Sequence, residues 1–230
     1  MAYTPNKQKN PSLRFWIVTL FPETVEPYVS SSIIGRAVAN RFVEIYTVNP
    51  RTATTDKHKT VDDKPYGGGP GMVMTALPIL ESVKTIHIKI AKLGGLKTKI
   101  IVTSPGGTLF TNHYAQSCID ESLSDIIVIC GRYEGVDSRV VAALGAEMIS
   151  IGDYVLTGGE LAALVIVDAI TRRINGVLPK TESLEENRVS SSVMYTRPES
   201  FLWQGTEYSV PDVMKSGNHK LIEEWKQKNS

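Results

Sequence analysis

The sequence predicts an α/β protein built around a parallel sheet, and three stretches carry that prediction. Residues 126–130 form an apolar run that empties into Gly131-Arg132-Tyr133-Glu134-Gly135. Residues 147–151 form a second run that empties into Gly152-Asp153-Tyr154-Val155-Leu156-Thr157-Gly158-Gly159-Glu160. The short helical stretch between them makes them adjacent parallel strands joined by a crossover, with their C-terminal ends facing one way. Residues 99–103 are a third such run, leading into Ser104-Pro105-Gly106-Gly107. In open α/β sheets this edge is where ligands bind. Glycine lets backbone N–H and C=O groups approach a ligand with no Cβ in the way, so a flat polar ligand can be clasped by main chain. A single loop of this kind passes for an ordinary turn. Two side by side, with polar residues among the glycines, point to a ligand site.

The remaining elements follow in order. Residues 15–21 read as a short apolar strand, and Pro22 suits the first turn of a helix running to residue 28. Ser30-Ser31-Ser32 can cap a second helix over 33–40, although Gly35 is unfavourable in its middle. Residues 42–48 alternate as a half-buried strand does. The pattern then breaks from residue 51 to 72, too long a loop to be idle in a compact domain. Its glycines are not a Walker A loop, since no Gly-Lys-Ser/Thr follows, and their spacing is not a dinucleotide fingerprint. Arg51, Lys57, Lys59 and Lys64 concentrate positive charge there, where phosphates could be met. Asp62 and Asp63 read as turn residues rather than a metal pair. Residues 76–93 are the clearest helix, with Leu77, Leu80, Val83, Ile86, Ile90 and Leu93 at helical spacing, Pro78 in the first turn and Gly94-Gly95 at the end. Residues 112–123 form an amphipathic helix, and 161–174 another, in which Asp168 and Arg172 stand at i and i+4, the spacing of an ion pair. Residues 176–192 are polar and aperiodic, with Glu182, Glu185 and Glu186, and read as a flexible linker. A compact aromatic stretch and a short terminal helix complete the chain. That tail is too small to hold a core alone and should dock on something.

Composition narrows the class. The 230 residues are 42% hydrophobic and 21% charged with a formal net charge of +1, which excludes the overall basic excess of a non-specific nucleic-acid binder. The two cysteines, Cys118 and Cys130, lack metal spacing and suit a reducing compartment. The four histidines are scattered, and no metal-ligand cluster is expected. Residues 1–12 read as a disordered tail rather than a signal peptide. With no run apolar enough to span a bilayer, the expectation is a cytoplasmic protein.

Three strings, VDDKPYGGGPGM at 61–72, GRYEGVD at 131–137 and SIGDYVLTGGE at 150–160, strongly resemble the bacterial tRNA (guanine-N1)-methyltransferases. Leu20-Phe21-Pro22, Gly35-Arg36-Ala37, Tyr195-Thr196-Arg197-Pro198 and Ser216-Gly217-Asn218-His219 match that family too, so the likeness runs from residue 13 to the end. The resemblance implies a SPOUT-type domain over 13–174 whose C-terminal part threads a trefoil knot, contrary to the usual absence of knots. It further implies a linker over 175–192 and a small, mostly helical tRNA-binding domain over 193–230.

By the same likeness the ligand is S-adenosylmethionine. It would be held by Ser104, Pro105, Gly131, Glu134, Ile151, Gly152, Asp153, Tyr154, Val155, Leu156, Gly158 and Gly159, with Ile151, Val155 and Leu156 against adenine. The reaction implied is methyl transfer to N1 of the guanosine immediately 3′ of the tRNA anticodon. It needs in-line placement and removal of the N1 proton, with Arg172 stabilising charge on guanine O6. The loop residues Arg51, Lys57, His58, Lys59, Asp62 and Tyr66 would meet the anticodon stem-loop. The implied assembly is a homodimer whose active site lies between one subunit's knot and the other's linker and tail, and Mg2+ is a further candidate requirement.

The chain departs from the family in three places. Ala162 stands where a proline is usual. The linker is short, so that the family's catalytic aspartate falls on Asn187. The expected basic extension past Trp225 is missing. An amide cannot accept the guanine proton, so Glu186 is taken as the general base with Asn187 holding the guanine edge; Glu185, Glu182 and Asp168 are weaker candidates. Two rivals stay open, a binder of another nucleotide at the same sheet edge and a non-catalytic RNA-binding dimer.

Overall fold

The computed structural model describes residues 11–178 and 193–229. The chain divides into two compact units, residues 1–179 and 180–230. In the first, β1 (Leu13–Val18) leads through α1 (Pro22–Val29) and α2 (Ser32–Ala39) to β2 (Val43–Val48). A small hairpin, β3 (Asp62–Asp63) with β4 (Val73–Met74), precedes α3 (Ala76–Lys92). Then come β5 (Thr98–Leu109), α4 (Asn112–Asp120), β6 (Asp125–Cys130), α5 (Ser138–Leu144), β7 (Glu147–Ser150) and α6 (Glu160–Thr171).

Five strands form one parallel sheet in the order β2-β1-β6-β5-β7. β1 and β6 are buried along their whole length, as parallel strands covered on both faces must be. Their alternate residues sort into two layers. Phe15, Ile17, Ile126, Val128 and Cys130 join one cluster with α1, α2, α4 and α6 through Val25, Ala37, Ala115 and Ile166. Trp16, Val18, Ile127 and Ile129 join the other with α3 and α5 through Ile79, Val83, Ile86 and Val140. On α3 Val83, Ile86 and Ile90 are buried as expected and Leu80 is half-buried, but the stripe starts at Ile79, and Leu77 and Leu93, 73% and 49% exposed, lie outside it.

The sheet order also corrects the expected adjacency of the strands at 126–130 and 147–151. β5 lies between them, its first half pairing with β6 and its later residues with β7. Helix α5 packs through Val140 onto the α3 face and delivers β7 beyond β5, a choice set by packing and invisible in the local pattern. The segment Ser104-Pro105-Gly106-Gly107 is likewise not a loop after a strand. It is a register break inside β5, which pairs with β7 again at Thr108↔Ile149.

At the opposite, N-terminal edge of the sheet, Arg14 Nε and Nη2 donate to the two oxygens of Asp125 at 2.7 Å each, and Trp16 Nε1 donates to Asp125 Oδ1 at 2.8 Å. Asp168 accepts from the Tyr28 hydroxyl at 2.7 Å, a partner the i, i+4 spacing with Arg172 does not suggest.

In the second unit β8 (Ser200–Trp203) and β9 (Thr206–Ser209) form an antiparallel hairpin, followed by α7 (Asp212–Lys215) and α8 (His219–Lys228). Gln204 and Gly205 turn the hairpin with φ of 51° and 81°, the left-handed pair a two-residue type I′ turn requires. The hairpin is an addition to the helices expected there. None of the unit's described residues is buried, in keeping with a segment too small for its own core.

Candidate functional site

The middle of β5, at residues 102–105, and the C-terminal ends of β6 and β7 open onto one cavity of about 410 Å³. Thr103 organises its floor: Oγ1 donates to the Ile129 carbonyl at 3.2 Å and accepts from Gly131 N at 3.2 Å. Gly131 O in turn accepts from Gly159 N at 2.8 Å, which seats the start of α6 against the end of β6. The loop after β7 is folded on itself, with Ser150 Oγ donating to Gly152 O at 3.0 Å and Tyr154 OH to Ile151 O at 3.3 Å.

Of the residues expected to hold a ligand, Ser104, Pro105, Gly131, Glu134, Ile151, Tyr154, Val155, Leu156, Gly158 and Gly159 line the cavity. Gly152 and Asp153 do not, because the carbonyl of Gly152 is turned to Ser150 and its Cα faces the Tyr154 ring. The sequence reading missed Tyr133, Val136, Ser138, Val141, Thr157 and Ala162, which also line it. A signal existed for most of them: Tyr133 and Val136 lie inside the 131–137 string and Thr157 inside the 150–160 string, Ser138 directly follows the first string, and Val141 lies one helical turn on.

The 51–72 stretch is more ordered than its composition suggests. Pro50–Ala53 is a 3₁₀ turn, Arg51 Nη1 donates to the Lys59 carbonyl at 3.0 Å, and Asp56 accepts from Thr60 N at 3.1 Å. Its far end is strapped to the cavity wall: Glu134 N donates to Met72 O at 2.9 Å, Met74 N to Gly135 O at 2.9 Å, and Asp137 N to Met74 O at 3.0 Å. None of Arg51, Lys57, His58, Lys59, Asp62 or Tyr66 lines the cavity, although Tyr66 is fully exposed at the tip of the strapped loop. Asp62 pairs with Met74 in the small hairpin. Arg172 caps the C-terminus of α6, outside the cavity lining. Glu186 and Asn187 lie outside the described residues.

Neither cysteine is prepared for nucleophilic chemistry. Burial, and secondarily the Glu160 charge, pushes the Cys130 thiol well above its ordinary value. Burial raises Cys118 to about 11. A thiol held protonated is a poor nucleophile, and neither cysteine lines the cavity.

The glycines at the sheet edge serve chain packing at least as much as ligand approach. A Cβ on Gly159 would press on Thr103 Oγ1 and stand 2.8 Å from Gly131 N and 2.9 Å from Cys130 Cα. Backbone would have to move, at a cost of roughly 1–3 kcal/mol for overpacking. Gly159→Ala should therefore lower the melting temperature and deform the cavity floor. Gly106→Ala, where a Cβ meets open space, should melt as wild type does; equal melting of the two variants would refute the packing argument.

A family model described as "tRNA (Guanine-1)-methyltransferase TrmD" matches residues 13–230. Three proteins named tRNA (guanine-N(1)-)-methyltransferase are similar to the chain. That of Clostridioides difficile (strain 630) is 44% identical, over 95% of this chain and 92% of its own length. That of Finegoldia magna is 41% identical over 94% and 89%, and that of Alkaliphilus oremlandii 43% identical over 93% and 86%. Likeness of this strength along nearly the whole length, on a parallel sheet whose motif-bearing loops wall one cavity, means that the chain belongs to the tRNA (guanine-1)-methyltransferase family.

Proposed function

We propose that the protein is a cytoplasmic tRNA methyltransferase that moves the methyl group of S-adenosylmethionine to N1 of the guanosine immediately 3′ of the anticodon. The observation that carries this reading is the cavity at the C-terminal sheet edge, walled by the family's own motif residues. Its volume of about 410 Å³ suits a nucleoside-sized ligand. Main-chain groups of the Gly131 and 151–156 loops can read a purine edge, and Ile151 and Leu156 offer apolar surface to its faces. The Glu134 carboxylate suits the positive charge of the donor, and a Cβ on Gly71 would overlap that side chain, so the strapped loop helps set its position. Bound there, S-adenosylmethionine supplies a methyl group on a positively charged sulfur, already electrophilic.

The chain must then place guanine N1 in line, take its proton and spread the resulting charge. Arg172 is assigned to guanine O6, Glu186 to the proton and Asn187 to the guanine edge. Lys57, Lys59, His58 and Tyr66 present an exposed surface for the anticodon stem-loop, with Arg51 and Asp62 shaping the loop that carries them. A trefoil knot in the C-terminal part of residues 13–174 and a homodimer in which one subunit's linker and tail complete the other's site complete the reading.

Incubating labelled S-adenosylmethionine with unmodified tRNA, with and without Mg2+, should yield 1-methylguanosine in the nucleoside digest. The active species should sediment as a dimer. Label in another nucleoside, or none in tRNA, would overturn the assignment.

A further inference from the structure

Arg132 leaves the loop after β6 and crosses to the start of α6. Its Nη2 stands 2.8 Å from Glu160 Oε2, its Nε donates to Glu160 Oε1 at 3.1 Å, and its Nη1 donates to the Thr157 carbonyl at 3.2 Å. The guanidinium also lies over the Phe21 ring, 4.4 Å from its centroid. Glu160 is 1% exposed, and its Oε1 accepts a further bond from Thr19 Oγ1 at 2.7 Å. Thr19 Oγ1 in turn accepts from Phe21 N at 2.9 Å. One carboxylate and one guanidinium thus tie together the chain after β1, the loop after β6 and the loop before α6.

Gly158 lies beneath this guanidinium: a Cβ there would overlap Arg132 Nε and Cζ. Gly158 also lines the cavity, where a glycine is ordinarily credited to ligand approach. Here the space of the missing side chain is taken by an arginine of the same chain, and Arg132 itself stays out of the cavity lining.

We propose that Arg132 is a positioning residue for the methyl-donor site, and that Gly158 is glycine because Arg132 crosses it. The planar fork bonds the Glu160 carboxylate and the Thr157 carbonyl at once, and so fixes the 157–158 wall relative to the Gly131 wall. A lysine is a point charge on a flexible stem and cannot hold both directions; it would keep the charge pair with Glu160 and release the Thr157 carbonyl. The proposal rests on the S-adenosylmethionine reading of the cavity.

The full-length chain tests it with S-adenosylhomocysteine as the calorimetric ligand. Arg132→Lys should fold, bind at least about ten-fold more weakly, and raise the KM for S-adenosylmethionine more than it lowers kcat, since the loss is of a charge-assisted bond to the wall and not of a reacting group. Gly158→Ala should weaken binding and lower the melting temperature in the wild-type background, and do neither in an Arg132→Ala background, the non-additivity of residues in contact. Affinity of Arg132→Lys within about two-fold of wild type would overturn the positioning role, and additive melting shifts would overturn the account of Gly158. Wild-type protein that binds no S-adenosylhomocysteine would instead defeat the cofactor reading, and the melting cycle would still decide whether Gly158 answers to Arg132.

Discussion

Glu186→Gln should slow single-turnover methylation by ~10²–10⁴-fold, the usual consequence of losing a general base, while S-adenosylmethionine still binds. Guanine N1 must lose a proton as the methyl arrives, and the amide of Asn187, which the resemblance aligns with the family's aspartate, cannot take it at neutral pH. Glu186 is its immediate neighbour, so a shift of one residue brings a carboxylate to the same place. Asp168 is a poorer alternative, because one of its oxygens already accepts from Tyr28 at 2.7 Å. The measurement is a rapid-quench single turnover with saturating tRNA, paired with calorimetric donor affinity. A rate within a few-fold of wild type would remove Glu186 from the mechanism. If Asn187→Asp then raised the rate sharply, the chain would be a weakened family member and not one with a relocated base.

Asp125→Ala should destabilise the first unit by roughly 3–5 kcal/mol, the cost of stranding a buried charge. Asp125 is 0% exposed and Arg14 is 8% exposed, so removing the carboxylate leaves a guanidinium and the Trp16 N–H without their acceptor. Replacing both charges, as Arg14→Met with Asp125→Leu, should recover part of the loss, because no charge is then left buried, although the Trp16 donor stays unsatisfied. Burial by itself would raise the Asp125 carboxyl, but hydrogen bonds from Arg14, Trp16 and Ser124 outweigh it and hold the carboxyl below its ordinary value. Its contribution is therefore complete above about pH 4, the unfolded value, and is lost as pH falls through the lower folded value. Urea titrations across that range should show wild type weakening with acid, and Asp125→Asn should lack that component. The pair sits at the N-terminal edge of the sheet, away from the cavity, so donor affinity measured well below the melting temperature should change little. A parallel loss of affinity in folded protein would contradict this separation.

Residue patterns alone carried the parallel sheet and the edge at which a ligand would be held, but not all of its strand ends: β1 spans 13–18 where 15–21 is expected, and β5 runs on to 109 where 103 is expected. Periodicity reports which residues alternate between layers: the run at 126–130 is a strand buried along its length, and the run at 147–151 is a strand buried at Ile149 and Ser150. The family strings carried the chemistry, because residue types at those spacings are specific even when their geometry is unknown. The order of the strands was beyond such reading. β5 slips between β6 and β7 because Val140 and the α3 stripe pack on one face and Ala163, Ile166 and Ile170 on the other, and no local pattern encodes which neighbour a strand will have. The meaning of the glycines was also settled only in three dimensions. Gly152 was assigned to the ligand and faces its own loop, while Gly158 and Gly159 make room for Arg132 and for the Gly131–Thr103 crossing. A sequence shows that a side chain is missing; what occupies the space depends on segments that meet only when the chain is folded.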